Sequence, residues 1–160
     1  MIIYDLLMQD HRLVMKIMDA IEQVTDPARR KDLFSFMRTE LVMHSKAEEE
    51  VLYRSLRELT LDETLVESSF DDHHDIERLL MTLQMGSAAT PEWMDHLREL
   101  RSIIKQHVEK EESDLFHLAQ QHYSMQEATY MGIRLMEEKG KLGMENPLTV
   151  MSRKFKEMIE

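Results

Sequence analysis

Four histidines in this chain sit where soluble helices ordinarily place hydrocarbon. His11, His44, His73 and His107 each fall in an apolar stripe, one on each of four successive amphipathic segments. Two of them are followed four residues later by a glutamate in the same stripe, as His44…Glu48 and His107…Glu111. Residues at i and i+4 project from one helix face, so each pair reaches a single point. A buried, unpartnered carboxylate costs several kcal/mol, and imidazole in a dry core is also unfavourable. These six groups converging in one interior therefore require neutralising cations. A dinuclear metal centre supplies them, with neutral imidazoles as terminal ligands and carboxylates as bridges. Taken singly, a buried histidine is usually a hydrogen-bonded core residue, and one His-x-x-x-Glu is a common accident in glutamate-rich helix. The complete set, distributed over four helices, points to metal.

Composition narrows the alternatives. In 160 residues there are 20 Lys+Arg against 31 Asp+Glu, a formal charge of −11, and no cysteine. Thiolate zinc sites, iron–sulfur clusters, disulfide frameworks and cysteine nucleophiles are excluded. The acidic balance argues against a nucleic-acid partner, because little basic surface exists to displace counterions; the clusters Arg29-Arg30-Lys31 and Arg153-Lys154-Lys156 are short. No stretch approaches the roughly 18 uncharged residues of a membrane span. The opening Met-Ile-Ile-Tyr-Asp has no signal-peptide character, so the expected location is cytoplasmic.

With 4 glycines and 3 prolines the chain reads as all-α. The first helix spans about Ile2 to Val24, with Leu7, His11, Val14, Met18 and Ile21 in line. Asp26-Pro27 opens a second that runs to about Glu58, its stripe passing through Leu41, His44, Glu48, Val51 and Ser55. Thr60-Leu61-Asp62-Glu63 has capping-box spacing and opens a third, along Val66, Ser69, His73, Ile76, Leu80 and Leu83, with Gly86 as its stop. Thr90-Pro91 caps the fourth, along Leu97, Leu100, Ile104, His107, Glu111, Leu115 and Leu118. Short turns between such helices predict an up-down-up-down four-helix bundle over 1–122. At about 1.5 Å per residue, His11 and His44 both lie about 20–24 Å from the first turn, at matching heights. A helical extension follows over 123–160. Ser124-Met125-Gln126-Glu127 caps a helix ending before Gly140, Lys141 to Asn146 reads as a linker, and Asn146-Pro147 opens a last amphipathic helix. No internal repeat is evident beyond the histidine and His-x-x-x-Glu pattern.

That pattern resembles the hemerythrin family in its broad HHE cation-binding form. The family carries a histidine on helix one, His-x-x-x-Glu on helix two, a histidine on helix three and His-x-x-x-Glu on helix four. Here the corresponding segments are Asp10-His11-Arg12, His44 to Tyr53, Asp72-His73-His74 and His107 to Phe116, within about residues 1–122. The resemblance implies a hemerythrin-like bundle holding two iron ions. His11, His44, His73 and His107 would be terminal ligands, and Glu48 and Glu111 would bridge; zinc and manganese suit the same donors. His73 is preferred to His74 because Ile76 and Leu80 share its stripe. Oxygen-carrying hemerythrins have a fifth histidine four residues after the one on helix three. That position is Glu77 here, either a carboxylate ligand or a solvated helix charge.

Among the other polar residues, Glu49, Glu50 and Glu112 read as solvated, with Glu49 as an alternative extra ligand. His96, His117 and His122 read as surface or packing residues. Tyr4, Tyr53, Tyr123 and Tyr130 include possible ligands, but spacing places none of them at the metals. The resulting expectation is a non-haem di-iron protein binding dioxygen, peroxide or nitric oxide. The missing fifth histidine weakens the case for reversible dioxygen carriage. Two alternatives are an iron- or oxygen-responsive sensor, using 123–160 to reach a protein partner or a second copy, and a stress-defence enzyme handling peroxide or iron.

Overall fold

The computed structural model describes residues 1–59 and 63–144. Among these residues the secondary structure is helical throughout, without strands. Helix α1 (Ile3–Gln23) is followed by a long rod made of α2 (Pro27–Glu48), a π-helical turn (Glu49–Tyr53) and α3 (Arg54–Leu59). Helix α4 (Glu63–Met85) then precedes a second interrupted rod of α5 (Pro91–Lys110), a π-helical turn (Glu111–Leu115) and α6 (Phe116–His122). Helix α7 (Met125–Met144) lies outside this group. Contacts run α1 to α2, α2 to α4, α4 to α5 and α5 to α1, closing the ring of a four-helix bundle.

The starts of these helices follow from local chemistry. Asp26 Oδ2 accepts the Arg29 N–H at 3.2 Å, and Thr90 Oγ1 accepts that of Trp93 at 3.4 Å, each cap followed by a proline. Ser124 and Glu127 form a reciprocal capping box at 3.1 Å in both directions. At the far end of α4, Lys31 Nζ donates to the carbonyls of Leu83, Gln84 and Gly86, which have no intrahelical partner. The Thr60–Glu63 capping box and the helix expected from Asn146 lie outside the described residues, apart from the backbone of Glu63.

Two departures from the expected helices have physical causes. Helix α7 continues through Gly140 to Met144, so Lys141 begins no linker. Gly140 does not adopt the left-handed conformation of a helix stop, and one glycine within a helix costs only about 1 kcal/mol relative to alanine. The second departure is the pair of π-helical turns, each starting immediately after one of the stripe glutamates. A π turn inserts an extra residue, so the inward stripe advances by one position. Leu56 and Ala119 are therefore fully buried, where straight α-helix places Ser55 and Leu118.

Apolar side chains form two clusters. One gathers Val14 to Ile21, Leu33 to Leu41, Ile76 to Leu83 and Trp93 to Ile104; the other gathers Ile3 to Leu7, Val51 to Leu56, Leu115 to Ala119 and the inner face of α7. In sequence, the buried polar residues His11, His44, Glu48, His73, His107 and Glu111 fall between the two sets on every helix of the bundle. Helix α7 packs Ala128, Met131 and Leu135 into the second cluster. Its Gly132 approaches the N-terminus so closely that a Cβ there would stand 2.6 Å from the Met1 carbonyl oxygen.

Candidate metal centre

The six stripe residues meet. His11, His44, Glu48 and Glu111 offer ligand atoms within 4.8 Å of one another, and so do Glu48, His73, His107 and Glu111. The two sets share Glu48 and Glu111, one carboxylate from each interrupted rod. Both glutamates are completely buried, at 0% exposure. The His11 and His44 rings lie 4.9 Å apart on one side, and the His73 and His107 rings 4.9 Å apart on the other.

The hydrogen bonds show which way each ring is turned. His11 Nδ1 meets Glu112 at 2.8 Å, His44 Nδ1 meets Asp10 at 2.9 Å, His73 Nδ1 meets Glu49 at 2.8 Å, and His107 Nδ1 meets Asp72 at 2.9 Å. An ionised carboxylate can only accept, so each Nδ1 carries a proton and donates. In the neutral ring this leaves the Nε2 lone pair aimed inward, the tautomer a metal ligand needs. Glu49 and Glu112 are thus not solvated charges but the partners that orient His73 and His11. Each follows a stripe glutamate directly, and the neighbouring helix brings the imidazole to it.

Inside the ring of imidazoles the polar atoms are close but poorly satisfied. His11 Nε2 and Glu111 Oε1 stand 3.1 Å apart, yet neither makes an aligned hydrogen bond among the described residues, and the same holds for both oxygens of Glu48. Four buried polar atoms gathered in one place without aligned partners fit cations as the missing partner. Charge agrees. Asp10, Glu48, Glu49, Asp72, Glu111 and Glu112 are six carboxylates, and Lys110 and Lys139 return two positive charges. With neutral imidazoles four negative charges remain, the complement of two divalent ions. Without metal, protons take their place. Burial disfavours the imidazolium of His11, but Glu111 and Glu112 more than offset this and raise its pKa to about 10. The same balance, with Glu48 and Glu49, raises that of His73 to about 10. Burial also opposes ionisation of Glu111, yet His107 and His11 hold its carboxyl well below the usual range.

Tyr53 also reaches the cluster. Its hydroxyl donates to Glu111 and lies 3.2 Å from His73 Nε2 and 3.3 Å from His107 Nε2. Burial, and then the adjacent Glu111 carboxylate, raise its pKa well above that of a free phenol. Sequence periodicity missed Tyr53 because it stands five residues after Glu48, a spacing that returns to the same face only across a π turn. The available signal was the parallel between His44-x-x-x-Glu48…Tyr53 and His107-x-x-x-Glu111…Phe116. At the matching position Phe116 offers no donor atom.

Glu77 is not brought to the cluster. It is exposed and lines a surface depression of about 190 Å³ with Arg38, Val42, Lys46, Leu80 and Met81. Ile76 and Leu80 hold the inward stripe of α4 at that level, which leaves Glu77 on the flank. Glu77→Gln is therefore expected to leave metal content and the electronic spectrum unchanged; loss of a bound ion, measured by elemental analysis, would show that Glu77 is a ligand. His74, His117 and His122 are exposed, and His96 pairs weakly with Glu99 at 3.6 Å on the surface.

The family model described as the hemerythrin HHE cation-binding domain matches residues 2–119. The chain belongs to the hemerythrin HHE family. A solved hemerythrin HHE cation-binding domain-containing protein from Mycobacterium kansasii shares the fold, with a TM-score of 0.78 and 18% identity over 89% of this chain and 87% of that one. A protein from Nostoc sp. named a DNA nickase is 30% identical over 140 residues. Those residues are 88% of this chain but only 40% of that relative. The HHE match ends before α7, so the bundle is what the family model covers. No helix among the described residues is long and apolar enough to cross a membrane.

Proposed function

We propose that this HHE bundle holds two iron ions and binds a small oxidant or diatomic ligand (dioxygen, peroxide or nitric oxide) there. One observation carries the reading: two overlapping, fully buried donor sets share Glu48 and Glu111 as common carboxylates. His11 and His44 would hold one ion, and His73 and His107 the other. Imidazole with carboxylate suits iron and also admits zinc or manganese. When bound, the two irons supply Lewis-acid and redox chemistry. The protein supplies fixed lone pairs, charge balance and a pocket kept dry by the apolar clusters.

Tyr53 distinguishes the two halves. Its hydroxyl sits beside His73 and His107, a donor where the resemblance expects a fifth histidine and the sequence has Glu77. Among the described residues no such hydroxyl is hydrogen-bonded to His11 or His44, and the orphaned atoms His11 Nε2 and Glu111 Oε1 lie together on that side, 3.1 Å apart. The small ligand is accordingly assigned to the His11/His44 half. Tyr53→Phe is expected to keep both ions but to remove any phenolate charge-transfer band from the visible spectrum. An unchanged spectrum would remove Tyr53 from the ligand set.

Elemental analysis of aerobically purified protein, with a near-ultraviolet spectrum, tests the main proposal. About two irons per chain and oxo-bridged ferric absorption are expected; stoichiometric zinc or an absence of metal would overturn it. Anaerobic reduction followed by air then separates roles. A stable, reversible oxygenated spectrum supports binding, and irreversible return to the ferric form supports turnover or sensing. The sensor reading has one specific contact in its favour: Lys139 on α7 ion-pairs with Asp10, the residue that orients His44. DNA nicking is not carried over from the Nostoc relative, since the chain spans two-fifths of that protein and its −11 charge provides no footprint for a phosphate backbone.

A further inference from the structure

The two halves of the site are built alike but neutralised from different places. Asp10 and Asp72 each precede a stripe histidine, and each accepts Nδ1–H at 2.9 Å from the histidine of an interrupted rod. A carboxylate partly removed from water next to a buried ring is stabilised by a nearby cation. Asp72 finds Lys110 at 2.5 Å, on the same rod as His107 and three residues after it. In the other rod the position three residues after His44 is Ala47, fully packed in the core. That rod therefore provides no counterpart of Lys110. Asp10 is neutralised instead by Lys139 of α7, whose Nζ lies 2.7 and 2.8 Å from its two oxygens.

Helix α7 lies beyond the 2–119 family match, yet it is seated closely on the bundle. Gly132 lets it approach the backbone of Met1 and Ile3, and Ala128, Met131 and Leu135 are buried beneath it. Lys139 itself is largely covered, at 19% side-chain exposure, which strengthens its attraction to Asp10 relative to a surface pair.

We infer that α7 is a positioning element for one half of the dinuclear site: Lys139 clamps Asp10, Asp10 fixes the His44 ring, and seating of α7 and cation uptake by the His11/His44 half favour one another. The inference rests on the reading that the cluster holds two metal ions. Coupling of this kind is reciprocal, so a cation bound between His11 and His44 tightens α7 as much as α7 tightens the cation. The His73/His107 half carries its own lysine, so the cation on Asp72 does not come from α7. In the proposed assignment the small ligand binds on the coupled half, so the state of the site is transmitted to the surface helix.

Anaerobic titration of the full metal-free chain with ferrous iron, under chelator competition, tests this in the wild type, Lys139→Met and Lys110→Met. Amide hydrogen exchange of 125–144 is followed before and after loading. The wild type is expected to take two equivalents and to slow exchange in α7. Lys139→Met should weaken one equivalent, by less than the roughly 10–100-fold that losing the outer partner Asp10 itself would cost, leave the other intact and abolish the slowing. Lys110→Met should weaken one equivalent while α7 still tightens on loading. General destabilisation would weaken both equivalents together, so the selectivity identifies positioning. Two wild-type equivalents with unchanged α7 exchange, or Lys139→Met affecting both equivalents or neither, overturns the inference and leaves the two-metal reading standing. A wild type that takes up fewer than two equivalents overturns both.

Discussion

Stripping the protein with a chelator is expected to lower its melting temperature by at least about 8 °C, and restoring ferrous iron should recover the loss. The metal-free interior keeps six carboxylates around four imidazoles, with both Glu48 oxygens, Glu111 Oε1 and His11 Nε2 lacking aligned partners. Protons compensate in part: against the opposing effect of burial, Glu111 and Glu112 raise the His11 pKa, and Glu48 and Glu49 the His73 pKa, to about 10. Cations satisfy the orphaned atoms directly, and a ligand bound by the native state alone stabilises it. With free iron about 1,000-fold above its Kd, one site adds about 4 kcal/mol, and at about 2–4 °C per kcal/mol for a chain of this size that is about 8–16 °C. Differential scanning calorimetry of stripped and reloaded protein reads the difference directly. Equal melting temperatures, with no stoichiometric uptake, would remove the basis for a metal centre.

Replacing Glu48 should abolish uptake at both halves at once. Glu48 belongs to both donor sets, and its Oε1 lies 3.2 Å from His73 Nε2 and 3.7 Å from His44 Nε2, on opposite sides of the cluster. Glu48→Gln keeps the volume and removes the charge: one of the two oxygens that would be shared between the ions becomes an amide NH2, which is no ligand, and half of the inner anionic charge disappears. The affinity loss should exceed the roughly 10–100-fold that outer partners cost, and should appear in both equivalents. The metal-free variant should melt close to the metal-free wild type. His44 and His73 keep their outer partners Asp10 and Glu49, and an imidazole can release a proton when its inner carboxylate is gone. Calorimetry with and without iron therefore separates a ligand from a structural residue. A variant that still gains the full increment on loading would show that Glu48 does not bridge.

Glu48 and Glu111 were legible in the amino-acid order because each lies one α-helical turn from a histidine, within a stripe that is otherwise hydrocarbon. His11 and His73 were legible for the same reason, as polar residues at positions where periodicity demands apolar ones. The bundle itself followed from four such stripes, and the Asp26, Thr90 and Ser124 caps marked helix starts that the structure places as expected. Tyr53 was not legible. A π turn leaves no mark in composition, and the step of five residues from Glu48 becomes meaningful only once the extra residue is known to be there. Glu49 and Glu112 read as solvated because, one position round the helix from a stripe glutamate, they point away from their own stripe; the approach of a neighbouring helix turned that outer position into the hydrogen-bonding shell.

The order of residues alone determined that His11, His44, Glu48, His73, His107 and Glu111 face inward, since burial period and the i, i+4 spacing are properties of a single helix. Everything that depends on two helices meeting was decided by tertiary packing. Lys139 reaches Asp10 across 129 residues, Tyr53 bridges toward His73 and His107 from another rod, and Glu77 is displaced to the flank although it follows His73 by one turn. The physical reason is the same in each case. A helix specifies the direction of its own side chains, but which of those directions ends at a metal, at a carboxylate or in water depends on what stands opposite.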